Sequence, residues 1–275
     1  MDNKFFLGIG LAVVLVFAAS AVYAGFTKIP AVQRGTGDRD ILYQVSTIDA
    51  LQQGVYDGVQ TVGELRKHGD FGIGTFDRLD GEMIVLDGVI YQAKADGHVT
   101  VASDSQTTPF ATVTYFDRDG SITTGTTMNF SGFSSAMAGR MPTGNMIYAI
   151  RMHGTFPSVK VRAIPAQDKP YPPLAVAATN QSVYTYAGCT GTVTGISMPI
   201  FLKGLNVAGY HLHFISDDRK TGGHVLDLEV PAGTQVEYDI TPEFTIVLPT
   251  RGDFPGVDLS QDLTGSLAKI ESGSL

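Results

Sequence analysis

Gly209-Tyr210-His211-Leu212-His213-Phe214, followed after a short polar stretch by Gly223-His224-Val225, holds three of the six histidines in the chain. Tyr210, Leu212 and Phe214 alternate with His211 and His213, the two-residue period of a strand with one buried face, so both imidazoles point the same way. Asp217 to Gly223 reads as a turn, and His224 opens a second run through Val225, Leu226, Asp227, Leu228, Glu229 and Val230. If Ser216 pairs with Thr221 across the loop Asp217 to Lys220, His213 falls opposite His224 on one sheet face, with His211 one step along. Three neutral nitrogen donors then surround one point and leave room for further ligands, which suits a divalent metal on a β-hairpin. The competing reading is structural: isolated strand histidines are usually surface residues or hydrogen-bonded core residues. Three of them interlaced with apolar residues and bounded by glycines favour the metal.

The amino terminus is a separate element. Lys4, an apolar stretch from Phe5 to Ala19 and the small residues ending in Val22-Tyr23-Ala24 form a secretory signal peptide over residues 1–24, cleaved after Ala24. The rival reading is an uncleaved membrane anchor, because Phe5 to Phe26 is long enough to cross a bilayer at about 20 residues. On either reading the folded part is exported, secreted or extracytoplasmic. A single cysteine, Cys189, excludes an intrachain disulfide, so the exported part folds on its own core. The formal charge is -8, and removal of residues 1–24 takes away one acid, Asp2, and one base, Lys4. An acidic chain with no basic cluster among aromatics disfavours nucleic acid as a partner. It does not disfavour a small anion, since one buried arginine outweighs a distant acidic surface.

Residues 25–43 read as a leader. Ser46-Thr47-Ile48-Asp49 opens a helix through Ala50, Leu51 and Val55, and Thr61-Val62-Gly63-Glu64 caps a second one ending near His68-Gly69. Beyond Gly69, short strands alternate with tight turns: Phe71 to Phe76, Glu82 to Leu86 between Asp80-Gly81 and Asp87-Gly88, then Val89 to Gln92. Phe110 to Phe116 and Ile122 to Thr127 form another expected pair. Asn145 to Phe156 is a long strand, Ser158 to Arg162 alternates, and a short helix is expected over Leu174 to Asn180 after the prolines at 170–173. Thr190 to Ser197, the histidine hairpin, Gln235 to Ile240 and Phe244 to Leu248 complete the pattern. The expected fold is α+β and β-rich, with two closely packed parts on mixed or antiparallel sheets: an N-terminal part over residues 44–170 and a C-terminal part over 171–275 that carries the metal site.

Gly74-Thr75-Phe76-Asp77-Arg78-Leu79-Asp80-Gly81-Glu82-Met83, together with the histidine block, Asp217-Asp218-Arg219 and Gly223-His224-Val225-Leu226-Asp227, resembles the α-acetolactate decarboxylases. Asp87-Gly88 with Tyr91-Gln92, Pro109-Phe110-Ala111 and Gly191-Thr192-Val193 support the likeness, which runs from about Gln44 to near the C-terminus. The resemblance implies a zinc ion held by His211, His213 and His224, a pair of glutamates matching Glu82 and Glu271, an arginine matching Arg162, and a homodimer. On the residues alone, Glu82 after a turn, Arg162 beside Lys160 and Glu271 in a polar tail are unremarkable surface groups. His68 suits a helix end, and His98 and His153 lack a ligand-like neighbourhood.

The activity implied is decarboxylation of 2-acetolactate to acetoin and carbon dioxide. On this reading the substrate's hydroxyl and ketone oxygens chelate the metal, which draws in electrons as carbon dioxide leaves and holds the enediolate. Arg162 orients the carboxylate, and Glu82 or Glu271, with a raised pKa, protonates the reacting carbon from one face. Two readings stand beside this one: an exported zinc-binding structural protein without catalysis, and a related decarboxylase or isomerase for another branched hydroxy-keto acid. Any membrane contact runs through the N-terminal segment, if that segment is retained.

Overall fold

The computed structural model describes residues 39–273, so the expected signal peptide and all but the end of the expected leader lie outside the described residues. The chain runs through β1 (Ile41–Val45), α1 (Ile48–Gln52), β2 (Gln60–Thr61), α2 (Val62–Leu65), β3 (Phe71–Thr75), β4 (Glu82–Leu86) and β5 (Val89–Ala93). It continues through β6 (Val99–Val101), β7 (Thr107–Thr108), β8 (Ala111–Thr114), β9 (Gly120–Thr123), α3 (Phe130–Ala138) and β10 (Tyr148–Ala163). Then come α4 (Leu174–Ala177), β11 (Ser182–Met198), β12 (Gly209–Ser216), β13 (Gly222–Leu228), β14 (Gln235–Ile240), β15 (Glu243–Val247) and α5 (Thr264–Ser272).

The two capped helices start where the sequence places them. The Thr47 hydroxyl accepts from Ala50 N at 3.2 Å, and the Thr61 hydroxyl accepts from Glu64 N at 3.2 Å, each satisfying a donor the first turn leaves open. Both helices are short, ending at Gln52 and Leu65. The leader ends earlier than expected. Ile41–Val45 is a strand between β8, antiparallel, and β15, parallel, and Leu42 and Val45 are fully buried.

One sheet has the order β15-β1-β8-β3-β4-β5-β6, and its central strands β8, β3 and β4 are buried on both faces. Along β4, Ile84 and Leu86 face one apolar cluster, while Met83 and Val85 face another on the opposite side, as period two requires. The second sheet has the order β11-β12-β13-β10-β14-β9, and β11 also pairs with β10, so β10, β11, β12 and β13 close into a four-strand cycle. The cluster that contains Ile84 also contains Ala149 of β10, Ile196 of β11 and Ile215 of β12, which makes it the apolar layer between the sheets. Glu82 shares the β4 face of Ile84 and Leu86, and is thereby aimed at the second sheet.

Two expectations need correction. The division near residue 170 is not a division between sheets: β9 and β10 belong to the sheet that carries the histidines, and β15 returns to the first sheet. The described residues fall in one compact unit. Phe110–Phe116 and Ile122–Thr127 are not partners, because β8 pairs with β1 and β3 whereas β9 pairs with β14. The intervening acids tie the crossing to β14: Asp119 accepts from Ile240 N at 2.9 Å, and Asp117 N donates to Asp239 at 3.4 Å. Alternation identifies a strand without naming its partner. Helices α3 and α5 were not anticipated.

The histidine hairpin has the register its loop length dictates. Ser216 N donates to Thr221 O at 2.9 Å, and His213 lies opposite His224. On the other side of β13 the register with β10 shifts between Lys160 and Val161, and Arg162 comes opposite His224. Gly223 permits this approach: its φ is +150°, and a Cβ there would stand 2.5 Å from the Arg162 carbonyl oxygen. Gly223→Ala is expected to cost about 2–3 kcal/mol in urea unfolding of the metal-free protein. Gly139→Ala, at a helix end with nothing within 4 Å of the added methyl, is expected to stay within about 0.5 kcal/mol of the parent.

Candidate metal centre

Alternation on β12 and cross-strand pairing with β13 bring His211, His213 and His224 to one face, buried at 7 %, 1 % and 1 % exposure. Their donor atoms all lie within 4.8 Å of one another, and this buried cluster can hold a divalent metal. Ring centroids are 5.0 to 5.4 Å apart with steeply inclined planes, so the imidazoles converge edge-on instead of stacking.

A hydrogen bond settles the tautomer of His213, and close contacts orient the rings of His211 and His224. His213 Nδ1 lies 2.8 Å from Met83 O. A carbonyl only accepts, so Nδ1 carries the proton and Nε2 presents a lone pair. That Nε2 is buried with no hydrogen-bond partner. His224 turns Nε2 to the Glu271 carbonyl at 3.5 Å and leaves Nδ1 3.1 Å from His211 Nε2. Two ligand nitrogens on one tetrahedral zinc ion stand about 3.3 Å apart. An orphaned lone pair and two facing nitrogens at this spacing fit a cation.

Three further side chains close around the histidines. Glu82 Oε2 is 3.8 Å from His213 Nε2. Glu271 Oε2 is 3.7 Å from His211 Nε2 and 3.5 Å from His224 Nε2. Arg162, 4 % exposed, reaches Glu271 Oε1 at 3.4 Å and Gln181 Oε1 at 3.5 Å, while its Nε is buried without a partner. Such long contacts leave a buried guanidinium under-satisfied and free to grip an added carboxylate. All six candidate residues thus meet at one place.

Gln181 and Thr75 were not singled out from the sequence. Gln181 follows the turn after α4, where nothing in its surroundings marks it. Thr75 donates from Oγ1 to Gly81 O at 2.8 Å and lines the chamber beside Glu82. The helix carrying Glu271 was also missed, although Leu267, Ile270 and Glu271 are spaced i, i+3, i+4 and Gly273 closes the helix at φ +65°. Leu267 and Ile270 are buried in the cluster around the chamber, and that packing delivers Glu271 to the histidines.

Burial is the main electrostatic cause here. It pushes the Glu82 carboxyl up to about 7, with Arg162 pulling back and Glu271 adding to the rise. It raises Glu271 to about 7, again against Arg162. It lowers His211 to about 3, with Arg162 adding to the fall, and holds His213 and His224 well below their ordinary value. Near neutrality the imidazoles are therefore neutral donors, and the carboxyls can hold protons.

A small chamber opens on this polar cluster. Its other wall is apolar: Ile48, Leu51, Leu79, Phe110, Ile164 and Leu174. Fold and site together define an α+β protein of two packed sheets with a buried three-histidine cluster that can hold a divalent cation. A family model described as alpha-acetolactate decarboxylase matches residues 42–261. An alpha-acetolactate decarboxylase of Methanosarcina mazei is 50% identical over 232 residues, covering 84% of this chain and 80% of that protein. The crystal structure of the Bacillus subtilis alpha-acetolactate decarboxylase is similar with a TM-score of 0.81 at 35% identity, covering 84% of this chain and 99% of the other. A Staphylococcus aureus protein described as similar to alpha-acetolactate decarboxylase gives 0.79 at 30% identity. The chain belongs to the alpha-acetolactate decarboxylase family.

At pH 6 the metal-free site holds neutral imidazoles and largely protonated Glu82 and Glu271, so an arriving dication lowers the carboxyl pKa values and expels protons. Calorimetric zinc titrations in buffers of different ionisation enthalpy are expected to report release of about one proton or more per chain at pH 6, falling away above pH 8. Glu82→Gln and Glu271→Gln each reduce it. His213→Ala abolishes tight binding.

Proposed function

We propose that the chain decarboxylates 2-acetolactate to acetoin and carbon dioxide, with zinc as the resident metal on His211, His213 and His224. The observation that carries this reading is the buried, under-partnered Arg162 guanidinium beside three histidines whose free nitrogens converge. A small anion with a carboxylate and neighbouring oxygens meets both in one chamber. Family membership supplies the reaction, and the residues supply a reason for each of its steps. When bound, a divalent cation supplies Lewis-acid stabilisation of the negative charge that develops on oxygen as the carbon–carbon bond breaks.

Arg162 receives the substrate carboxylate through Nε and one terminal nitrogen, a planar fork that sets the scissile bond against the histidine face. The apolar wall takes the two methyl groups and keeps water from the reacting carbon. Departure of carbon dioxide leaves an enediolate, and a protonated carboxyl held on one side delivers a proton to a single face. Glu82 comes from the first sheet and Glu271 from α5, and burial raises both in the metal-free site, so one can keep its proton when a cation draws the other into ionisation. Either can be the donor, and the other then holds the proton inventory of the pair.

Two further readings belong here. The apolar stretch Phe5–Ala19 and the small residues before Ala24 support export of the protein, either cleaved or anchored at the N-terminus. Among the described residues no helix is long and apolar enough to cross a membrane. The family resemblance supports a homodimer.

The test is acetoin and carbon dioxide release from racemic 2-acetolactate, with metal content measured in parallel. Chelation is expected to abolish turnover and zinc to restore it. Arg162→Lys, which loses the fork, is expected to lower kcat/KM by about 100-fold with zinc content unchanged. Because the proton donor must be protonated, kcat falls as pH rises through its pKa. Of Glu82→Gln and Glu271→Gln, the variant that removes the donor loses this alkaline limb and the enantiomeric purity of acetoin. Zinc binding without any release of carbon dioxide would favour the non-catalytic alternative.

A further inference from the structure

Of the five non-glycine residues with positive φ among the described residues, Leu79 alone lines the chamber. Its φ is +60°, and Arg78 before it has φ +64°. A left-handed conformation sets Cβ against the following carbonyl, and a bulky apolar side chain has no local hydrogen bond to offset the clash. Two such residues in succession persist only where the surroundings over-determine the backbone. Here they do. Arg78 N donates to Tyr56 O at 2.8 Å, Gly81 N donates to Leu79 O at 2.7 Å and Ile164 O at 3.1 Å, and Gln167 N donates to Arg78 O at 2.8 Å. The Arg78 side chain adds a bond from Nε to Gln167 O at 2.8 Å and an ion pair with Asp168.

A glycine or asparagine would turn the chain at this point without that strain. The leucine is 3 % exposed and packs with Ile48, Leu51, Phe110, Ile164 and Leu174, the other apolar wall residues. Those five are absent from the positive-φ residues. Leu79 also stands in the turn that leads into Glu82, clamped through Gly81 to Ile164 of the same wall, so its side chain cannot retreat by a backbone shift. The wall residue least able to yield is the one that measures what the chamber accepts.

We propose that Leu79 is a specificity-determining residue, and that its side chain limits the length of the alkyl group at carbon 2 of the 2-hydroxy-3-keto acid. The proposal rests on the chamber being the decarboxylation site, as inferred above. It restricts the substrate class to acids with short alkyl groups, methyl before ethyl and ethyl before propyl.

The test compares Leu79→Ala, Leu79→Met and Leu79→Phe with the parent in the zinc-loaded full chain. One readout is kcat/KM for homologues bearing methyl, ethyl or propyl at carbon 2. A second is the Kd of the matching non-reactive acids in which the ketone is reduced to an alcohol. Leu79→Ala is expected to raise the propyl-to-methyl ratio about tenfold or more in both readouts. Leu79→Phe is expected to lose the propyl and ethyl compounds before the methyl one, and Leu79→Met, similar in volume, to keep the parent order. If Leu79→Ala does not fold, the opposite shifts of Leu79→Phe and Leu79→Met still decide the matter. Unchanged ratios in folded, zinc-loaded variants would overturn the proposal and leave Leu79 a packing residue. A parent that turns over none of the three keto acids, but whose Kd order still moves with residue 79, would overturn the decarboxylase reading and retain this one.

Discussion

Three imidazoles, a guanidinium and two carboxyls share a space from which the fold excludes water, and that constraint governs the architecture around them. A buried ionised group costs several kcal/mol unless it is paired. The metal-free site meets this cost by shedding charge: the histidines stay neutral and the two carboxyls are raised to about 7, so that Arg162 is the one cation left. A dication reverses the balance. With it in place one carboxyl can ionise, and the set becomes a dication and a guanidinium facing a carboxylate and a carboxyl that keeps its proton. Metal binding, proton release and local stability are then one coupled equilibrium.

The groups can meet because each reaches the site from a different element. β12 and β13 supply the histidines through the hairpin register, β10 supplies Arg162 through a register shift, β4 supplies Glu82 from the facing sheet, and α5 supplies Glu271. The Met83 carbonyl that fixes the His213 tautomer follows Glu82 directly in the chain. A displacement of β4 relative to β12 would therefore move the acid and the orienting acceptor together. Sheet packing and histidine protonation state are linked through that one bond.

What was legible in the sequence was local. Alternation across Tyr210 to Phe214 and the loop count from Ser216 to Thr221 were enough to place His213 opposite His224. Glu82 shares the parity of Ile84 and Leu86, but both faces of β4 are apolar, so parity alone left Glu82 to be read as an unremarkable surface group. Partner choice between distant strands was not legible. β8 and β9 look like a hairpin because both are short and alternate, yet the acids between them tie the crossing to the second sheet. Ile41–Val45 looked like a leader because its partners, β8 and β15, are far away in the chain. Arg162 and Lys160 have the same parity on β10, and nothing local tells the buried one from the exposed one. The difference is a tertiary outcome: the register shift between Lys160 and Val161 sets Arg162 opposite His224, within reach of Glu271 on the C-terminal helix.

That helix shows how far local signals reach. Nine residues are too few to hold a helix in water on propensity alone, and α5 has no side-chain cap at Leu263. It persists because Leu267 and Ile270 are buried beside Leu79, Phe110 and Leu174. The same apolar cluster that walls the chamber therefore docks the element bearing Glu271. Substrate space and the second carboxyl are set by a single packing arrangement. A change on the side of α5 loosens Glu271 through a nine-residue helix that only packing holds in place. A change at Leu79 touches the same cluster, but there the backbone is pinned to Tyr56, Ile164 and Gln167, so the turn that leads into Glu82 keeps its course while the packing against α5 adjusts.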